Sequence, residues 1–243
     1  MSYYVLMIVK AVVAILLAIL FGNGSVVAFN RMPVRWFEDE DEKGNKILPE
    51  ELRNLGDGSR QRLHSTPWKF VFTGYFGVVG VFLALHFSLQ YEVAALCALV
   101  ITLLMAICDA KYRLVPDFLS ILLAISAIGF ISFQDPWWSP LVGVLAGSLM
   151  VLIFNGIGKL VYKKDIIGGA DLKFFAAVGL IAGGTGTIVL FVLTNLLVCL
   201  HAIFLLATGR IRKGSYLPML PYAFVALTIY FLFLWDILPV LLG

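Results

Sequence analysis

Residues 91–117 read YEVAALCALVITLLMAICDAKYRLVPD. A mostly apolar run ends at Cys108, and a short polar segment with two aspartates, Asp109 and Asp117, follows it. A run of this length suits a helix that crosses a membrane, which needs roughly 20 apolar residues. An ionised carboxylate beside lipid is costly, so each aspartate is a candidate functional residue. This stretch therefore predicts a membrane helix with acidic chemistry at its end.

The same pattern recurs along the whole chain. Hydrophobic residues make up 61% of the 243 residues and the mean hydropathy is +0.96, well above the level of a soluble domain. Backbone groups in lipid need hydrogen bonds within their own segment, so the apolar runs are expected to be helices. We predict an all-α integral membrane protein, a single domain over residues 1–243. It would be a polytopic bundle of about eight transmembrane helices, at 3–29, 68–87, 91–108, 117–133, 139–161, 171–184, 187–208 and 218–241.

Basic residues are strongly biased to one set of loops. Seventeen of the 18 Lys and Arg residues fall in four clusters on one side of an eight-helix arrangement, and Lys10 is the exception. The opposite loops, near 88–90, 134–138 and 185–186, carry none. Short loops rich in Lys and Arg stay in the cytoplasm. The charge pattern therefore predicts a multi-pass protein of the cytoplasmic (inner) membrane with both termini outside.

The segment 31–66, between the first and second predicted helices, is the one sizeable polar insertion. It contains the acidic run Glu38–Glu42, yet its seven Lys and Arg residues nearly balance its eight Asp and Glu residues. We expect a cytoplasmic loop that forms a solvated hairpin or a partly ordered linker. The alternative is a docking surface for a basic partner, since opposite charges attract.

Cysteine and histidine usage argues against a metal site. Cys97, Cys108 and Cys199 form no C-x-x-C pair, and His64 is the one good nitrogen ligand in the 31–66 loop. This spacing indicates neither structural zinc nor a disulfide framework. The sequence also lacks a phosphate-binding loop. We therefore expect no bound metal and no nucleic-acid partner.

A second aspartate motif lies near residue 170. Residues 167–173 read IGGADLK, so two glycines precede Asp171 and Lys173 follows it. Two carboxylates that share a water can hydrolyse a peptide without a metal, because both cannot ionise cheaply and they divide the roles of acid and base. Glycines carry no side chain and let a substrate backbone approach closely. We expect Lys173 to anchor to lipid phosphate or to tune the nearby charge.

Each aspartate also has a purely structural interpretation. Asp117 opens a predicted helix, as a residue that satisfies free backbone N–H groups would. Asp171 would cap its own helix in the same way. Asp109 would pair with Lys111 or Arg113 at the membrane surface. The residues alone leave both interpretations open.

Taken together, the motifs resemble those of the type IV prepilin peptidases, membrane aspartic proteases of the GxGD class. Residues 109–117 match the family's first motif, an Asp followed by a polar stretch that ends in hydrophobic-Pro-Asp. Residues 168–173 match its G-x-G-D segment followed by Lys. Residues 24–33, GSVVAFNRMP, resemble its G-S…R-x-P segment, and residues 217–222, LPMLPY, its P-x-G-P-F segment.

The resemblance implies an aspartic endopeptidase of the intramembrane type. It would cleave the basic leader from type IV prepilins or pseudopilins at the cytoplasmic face of the membrane. Asp109 and Asp171 would be the catalytic pair. Supporting or substrate-binding roles would fall to Asp117, Gly168, Gly169 and Lys173. Such an enzyme needs no cofactor, and its expected partners are the prepilin or pseudopilin substrates and the lipid bilayer.

The chain departs from the family pattern at three points. Ala170 and Leu220 stand where the family has glycines, and the 31–66 loop lacks the paired cysteines that many bacterial members use to hold zinc. Those members often also N-methylate the new N-terminus. A bifunctional prepilin peptidase and N-methyltransferase, which would need S-adenosylmethionine, is the first alternative to the peptidase alone. A small membrane transporter or proton channel is the second, since intramembrane carboxylates also act as relays.

Overall fold

A computed structural model of the chain describes residues 3–40, 46–47, 52, 62–163, 168–211 and 217–237. Within these ranges the chain is helical apart from its connections and one small β-hairpin. The main helices are α1 (Tyr3–Arg31), α2 (Ser65–His86), α3 (Leu89–Tyr112), α4 (Asp117–Ser126), α5 (Ser139–Tyr162), α6 (Gly169–Ala207) and α7 (Leu220–Ile229). A 3-10 helix, Ala127–Phe133, extends α4, and a π-helical turn, Tyr230–Leu234, extends α7.

The lengths and surfaces of these helices suit a membrane. In the described part of the chain five helices, α1, α2, α3, α5 and α6, are long and apolar enough to cross a bilayer, and the α4 and α7 segments are shorter and apolar. Large apolar side chains such as Ile8, Leu16 and Leu160 are more than half exposed. An outer surface of this kind faces lipid rather than water. The predicted all-α membrane fold is confirmed, and the number of crossings stays a prediction.

α6 is not one straight rod. Gly183 has φ +67° and ψ −176°, a conformation that residues with a side chain rarely adopt. Phe175 and Phe191 lie on either side of it with their ring centroids 5.1 Å apart, whereas a straight helix would separate them by about 24 Å. The chain therefore turns back at Gly183, and α6 has two arms, 169–182 and 184–207. These arms match the predicted helices 171–184 and 187–208, with the turn slightly earlier than expected.

The helices form two compact units, Met1–Pro116 and Asp117–Gly243. The first unit contains α1, α2 and α3, and the second contains α4 to α7. The prediction of one membrane domain over residues 1–243 stays a prediction.

In the first unit α1 packs along α2 and against α3. A Cβ on Gly80 of α2 would lie 3.3 Å from Ala14 of α1 and 3.5 Å from Leu96 of α3, so the three helices meet at this level. Further along, Phe29 of α1 stacks on Tyr112 of α3 with ring centroids 5.9 Å apart. Ala14 and Leu96, and likewise Phe29 and Tyr112, are about 82 residues apart in sequence. Because this separation is nearly the same at both levels, α1 and α3 run parallel to each other.

In the second unit glycines let α5 and α6 approach closely. A Cβ on Gly143 would collide with the backbone of Gly179, and a Cβ on Gly147 would collide with the backbone of Phe175. Membrane helices use small residues in this way to bring their backbones together. α4 and α7 also pack against α6. The first arm of α6 is thus held on a closely packed scaffold.

The 31–66 segment is described in part. A 3-10 turn, Val34–Phe37, leads into a short antiparallel pair, β1 (Asp39–Glu40) and β2 (Lys46–Ile47). The expected hairpin is therefore present and includes part of the acidic run. Residues 41–45, which include the rest of the acidic run, and residues 48–51 and 53–61 lie outside the described part of the chain. The cytoplasmic location of this segment stays a prediction.

Candidate active site

Asp109 lies in the last turn of α3 and is half-buried. The helix ends where Arg113 takes a left-handed conformation, φ 55°, and its N–H donates to the carbonyl oxygen of Asp109 at 2.9 Å. The Asp109 side chain therefore lies at the carbonyl end of a helix, where the backbone carries negative partial charge.

Contacts within the first unit hold this turn of α3 in place. The thiol of Cys108, next to Asp109, is buried and lies 3.9 Å from the sulfur of Met32. Tyr112 meets Phe37 edge-on, with ring centroids 5.0 Å apart. The end of α3 is thus packed against residues that follow α1.

Asn30 has a structural role that only the structure reveals. Its side-chain amide donates to the carbonyl of Leu63 at 2.9 Å, and its side-chain oxygen accepts from the Leu63 N–H at 2.8 Å. Lys111, close to Asp109, donates to the neighbouring carbonyl of Arg62. These bonds join the two ends of the 31–66 segment beside the end of α3. In the sequence, the one feature that singles out Asn30 is its place in the segment that resembles G-S…R-x-P.

Asp171 lies in the first turn of α6 and is also half-buried. The N–H of Gly168 donates to its Oδ2 at 3.2 Å, and the N–H of Asp171 donates to the Gly168 carbonyl at 3.2 Å. This is the carboxylate half of a capping box, since glycine has no side chain to supply the other half. Acidic side chains are common in the first turn of a helix, where backbone N–H groups lack partners within the helix. Its interpretation as a helix-end residue is thus correct, and it is compatible with catalysis.

Asp171 lies at the end of the first arm of α6, away from the turn at Gly183. Its distance along α6 from the turn at Gly183 is about 18 Å, whereas the second arm is about 36 Å long. The charge pattern predicts that the turn is on the outer side of the membrane. Under this prediction Asp171 lies on the inner side of the turn. The first arm is about half as long as the second.

Gly168 and Gly169 are not required by backbone conformation. Gly168 has φ −77° and ψ 160°, which any residue can adopt. Among the described residues, a Cβ on Gly169 would meet nothing within 4 Å, and a Cβ on Gly168 would meet the carboxylate of Asp171 at 3.8 Å. Among the described residues, the backbone before Asp171 therefore has open space beside it.

Two of the predicted supporting residues come together. The Nζ of Lys173 lies 2.5 Å from the Oδ1 of Asp117. Asp117 is the first residue of α4, as predicted, and Lys173 lies just after Asp171 in α6. Both side chains are at least half exposed. The ion pair ties the start of α4 to the part of α6 that carries Asp171.

A cavity of about 570 Å³ in the second unit lies elsewhere. It surrounds the turn of α6 and is lined by Gln134, Trp138, Thr185 and Tyr230 among others. The side chain of Gln134 donates to the carbonyl of Ile181, a backbone group next to the turn. This is the end of the first arm opposite Asp171, so the cavity is not part of the candidate site.

Metal-ligating residues do not cluster in the described part of the chain. Among those residues no three His, Cys, Asp or Glu side chains are grouped so that they can hold a metal ion. The expectation that the site needs no metal stays a prediction.

Comparison with known proteins assigns this region to a family. The sequence model of the type IV leader peptidase family matches residues 94–206. A prepilin leader peptidase/N-methyltransferase of Bacillus subtilis (strain 168) is 26% identical over 140 residues, which is 56% of this chain and 54% of that protein. A protein of the same name from Vibrio cholerae serotype O1 is 27% identical over 126 residues, 51% of this chain and 49% of that protein. No solved structure matches the chain.

The chain spans about half the length of the curated relatives it matches. The family match contains both aspartate motifs, with Asp109, Asp117 and Asp171, but not the outer segments 24–33 and 217–222. The predicted resemblance is therefore confirmed for the part of the chain that carries the candidate site. Over residues 94–206, slightly less than half of its length, the chain is similar to the type IV leader peptidase family.

Proposed function

We propose that the chain is a membrane aspartic endopeptidase that removes the basic leader from type IV prepilins or pseudopilins at the cytoplasmic face of the inner membrane. The observation that carries the proposal is the ion pair of Asp117 and Lys173. It joins one residue of each aspartate motif next to Asp171. The family match and the names of the relatives support the class of reaction.

In this proposal Asp171 is the base and Asp109 is the acid. The start of α6 favours the ionised form of Asp171, whereas the end of α3 favours the neutral form of Asp109. Ionised Asp171 takes a proton from a shared water, whose oxygen attacks the scissile carbonyl carbon. Asp109 gives its proton to the carbonyl oxygen. As the C–N bond breaks, Asp171 returns its proton to the leaving amine, and Asp109 recovers its proton from the collapsing intermediate.

Infrared difference spectroscopy tests the division of roles. Neutral Asp109 should give the stretching band of a protonated carboxyl group near neutral pH. Asp109→Asn should remove that band, and Asp171→Asn should not. Loss of the band only in the Asp171 variant would reverse the assignment.

The open backbone at Gly168 and Gly169 supports a site for an extended substrate segment. Their missing side chains leave room for a strand to lie beside the start of α6. A site at the start of an apolar helix suits a substrate that is itself a membrane-inserted helix with a basic leader on the cytoplasmic side. The substrate and its orientation are part of the proposal.

The N-methyltransferase alternative stems from the sequence resemblance, and the names of the relatives support it. It would need S-adenosylmethionine. We derive no methyl-transfer step. Transfer of a labelled methyl group from S-adenosylmethionine to a processed pilin would establish the alternative.

Reconstitution tests the proposed peptidase activity. The purified full-length chain in lipid vesicles is mixed with a detergent-solubilised prepilin, and products are separated by mobility and identified by mass. We expect a single cut that releases the leader, with no added metal. Prepilins and pseudopilins from several systems are compared, because the substrate family is part of the proposal. Lack of cleavage of all of them by folded protein would contradict it.

A further inference from the structure

Two charged side chains are buried among the apolar helices of the first unit, and the proposed peptidase reaction uses neither. Glu92, in the first turn of α3, is 0% exposed, and Lys10 of α1 is 8% exposed. Lys10 is also the one basic residue outside the cytoplasmic clusters. A buried charge in a membrane helix is costly unless an opposite charge or hydrogen bonds compensate for it.

Their positions place both residues at one level of the first unit. Lys10 precedes Ala14 by one helical turn, and Glu92 precedes Leu96 by one turn. Ala14 and Leu96 both lie against Gly80. Residues one turn apart share a helix face, and α1 runs parallel to α3. Lys10 and Glu92 therefore lie one turn further along the same three-helix contact, towards the predicted outer side.

Both side chains are buried at this level, and opposite charges attract strongly where water is excluded. Neither carboxylate oxygen of Glu92 has a hydrogen-bond partner in the part of the chain that the structure describes. Lys10, at the same level, is therefore the group that can compensate for this carboxylate. Removal of one member of a buried pair is strongly destabilising, whereas replacement of both is well tolerated.

We propose that Lys10 and Glu92 form a buried charge pair that fixes α1 against α3 and so positions Asp109. α3 is one continuous helix from Leu89 to Tyr112. A rotation or a shift at Glu92 is therefore transmitted to Asp109, about 26 Å away along the helix. Lys10 and Glu92 are positioning residues and do not touch the substrate.

A double-mutant cycle on the full-length protein in detergent tests the pairing. Glu92→Gln removes the charge and keeps the shape, and Lys10→Met keeps most of the length. Each single variant should lower the Tm by roughly 5–15 °C, and the double variant should recover most of that loss. Asp135→Asn, a matched change at an exposed carboxylate, should leave the Tm unchanged. If the Tm loss of the double variant equals the sum of the losses of the two single variants, Lys10 and Glu92 do not form a pair and the proposal is wrong.

A second readout separates positioning from general stability. Met32 of the α1 end lies beside native Cys108, next to Asp109. Met32→Cys should therefore form an oxidative crosslink with Cys108 once Cys97 and Cys199 are replaced by alanine. Glu92→Gln and Lys10→Met, each added separately, should reduce the crosslinked fraction. The crosslinking is measured at a temperature well below the Tm of each variant, so that both variants are folded.

The charge-swapped variant, Lys10→Glu with Glu92→Lys, should restore the crosslink. Unchanged crosslinking in the single variants would contradict positioning. A reference protein that fails to crosslink would contradict the parallel alignment of α1 and α3, and the proposal with it. Neither readout requires peptidase activity, so a failure of the proposed function would leave this test valid.

Discussion

The ammonium group of Lys173 lies 2.5 Å from the carboxylate of Asp117, so an ion pair joins the start of α4 to the first arm of α6 within the second unit. Both groups are at least half exposed, and such pairs contribute only about 0.2–1 kcal/mol to stability. We infer that the pair matters for the orientation of α4 against α6 rather than for folding.

Asp117→Asn and Lys173→Gln are predicted to affect activity more than stability. Each should change the Tm by less than about 4 °C and should lower the kcat of leader cleavage several-fold. The swapped variant, Asp117→Lys with Lys173→Asp, should recover part of that loss. Thermal unfolding and cleavage kinetics on the same preparations check this. A large fall in Tm without a change in kcat would show that the pair is structural.

Gly169→Ala separates substrate approach from folding. A Cβ at this position meets no described residue within 4 Å, and alanine favours a helix more than glycine does. The Tm should therefore stay the same or rise slightly. Cleavage should fall at least about tenfold if the substrate backbone needs this space. Gly74→Ala in α2, which also meets nothing within 4 Å, is the control and should leave both unchanged. Normal cleavage by the Gly169 variant would contradict the proposal that the substrate backbone lies close to Gly169.

Gly183→Ala should destabilise the second unit. The positive φ of Gly183 strains any side chain, and the added Cβ would collide with the hydroxyl of Ser139. The cost should be about 2 kcal/mol or more, a fall in Tm of at least about 4 °C. Ser139→Ala should relieve the collision but not the strain, so recovery should be partial. Gly156→Ala, in open space, is the matched control. A Tm equal to that of the unmodified protein would contradict the turn at Gly183.

The helix positions could largely be predicted from the sequence, because they depend on local features: runs of apolar residues form the helices and prolines mark their ends. The α4 segment runs from Asp117 to Phe133, as the sequence predicts, since the preceding Pro116 disfavours a continued helix. The turn within α6 was placed slightly late. Several glycines cluster there, and hydropathy alone does not show which of them takes the positive φ.

The contacts that build the site could not be predicted in the same way. Lys173 bonds Asp117 across 56 residues, and Asn30 bonds Leu63 across 33. Sequence spacing carries no information about such distant pairs. Glu92 was overlooked because one carboxylate hardly changes the hydropathy of an otherwise apolar run. Its burial beside Lys10 depends on which face of α3 meets α1, which only packing decides.

The predicted orientation can be tested with two engineered cysteines in a background without native ones. Asn45→Cys, in the 31–66 loop, should react with a membrane-impermeant maleimide only after the membrane is opened. Trp137→Cys, in a loop without Lys or Arg, should react in intact cells. Labelling of residue 45 in intact cells would overturn the assignment of the cytoplasmic face.

Asp109→Asn and Asp171→Asn test the account most directly. Asparagine keeps the shape of aspartate but neither takes up nor gives a proton. Each variant should lose leader cleavage by about 10³-fold or more, and the double variant should lose little more, because the two residues act as one unit. The measurement is single-turnover cleavage of a prepilin by each variant in lipid vesicles, with Tm as the control for folding. Near-complete loss in both folded single variants is the predicted result, and full cleavage by either one would contradict the proposed catalytic pair.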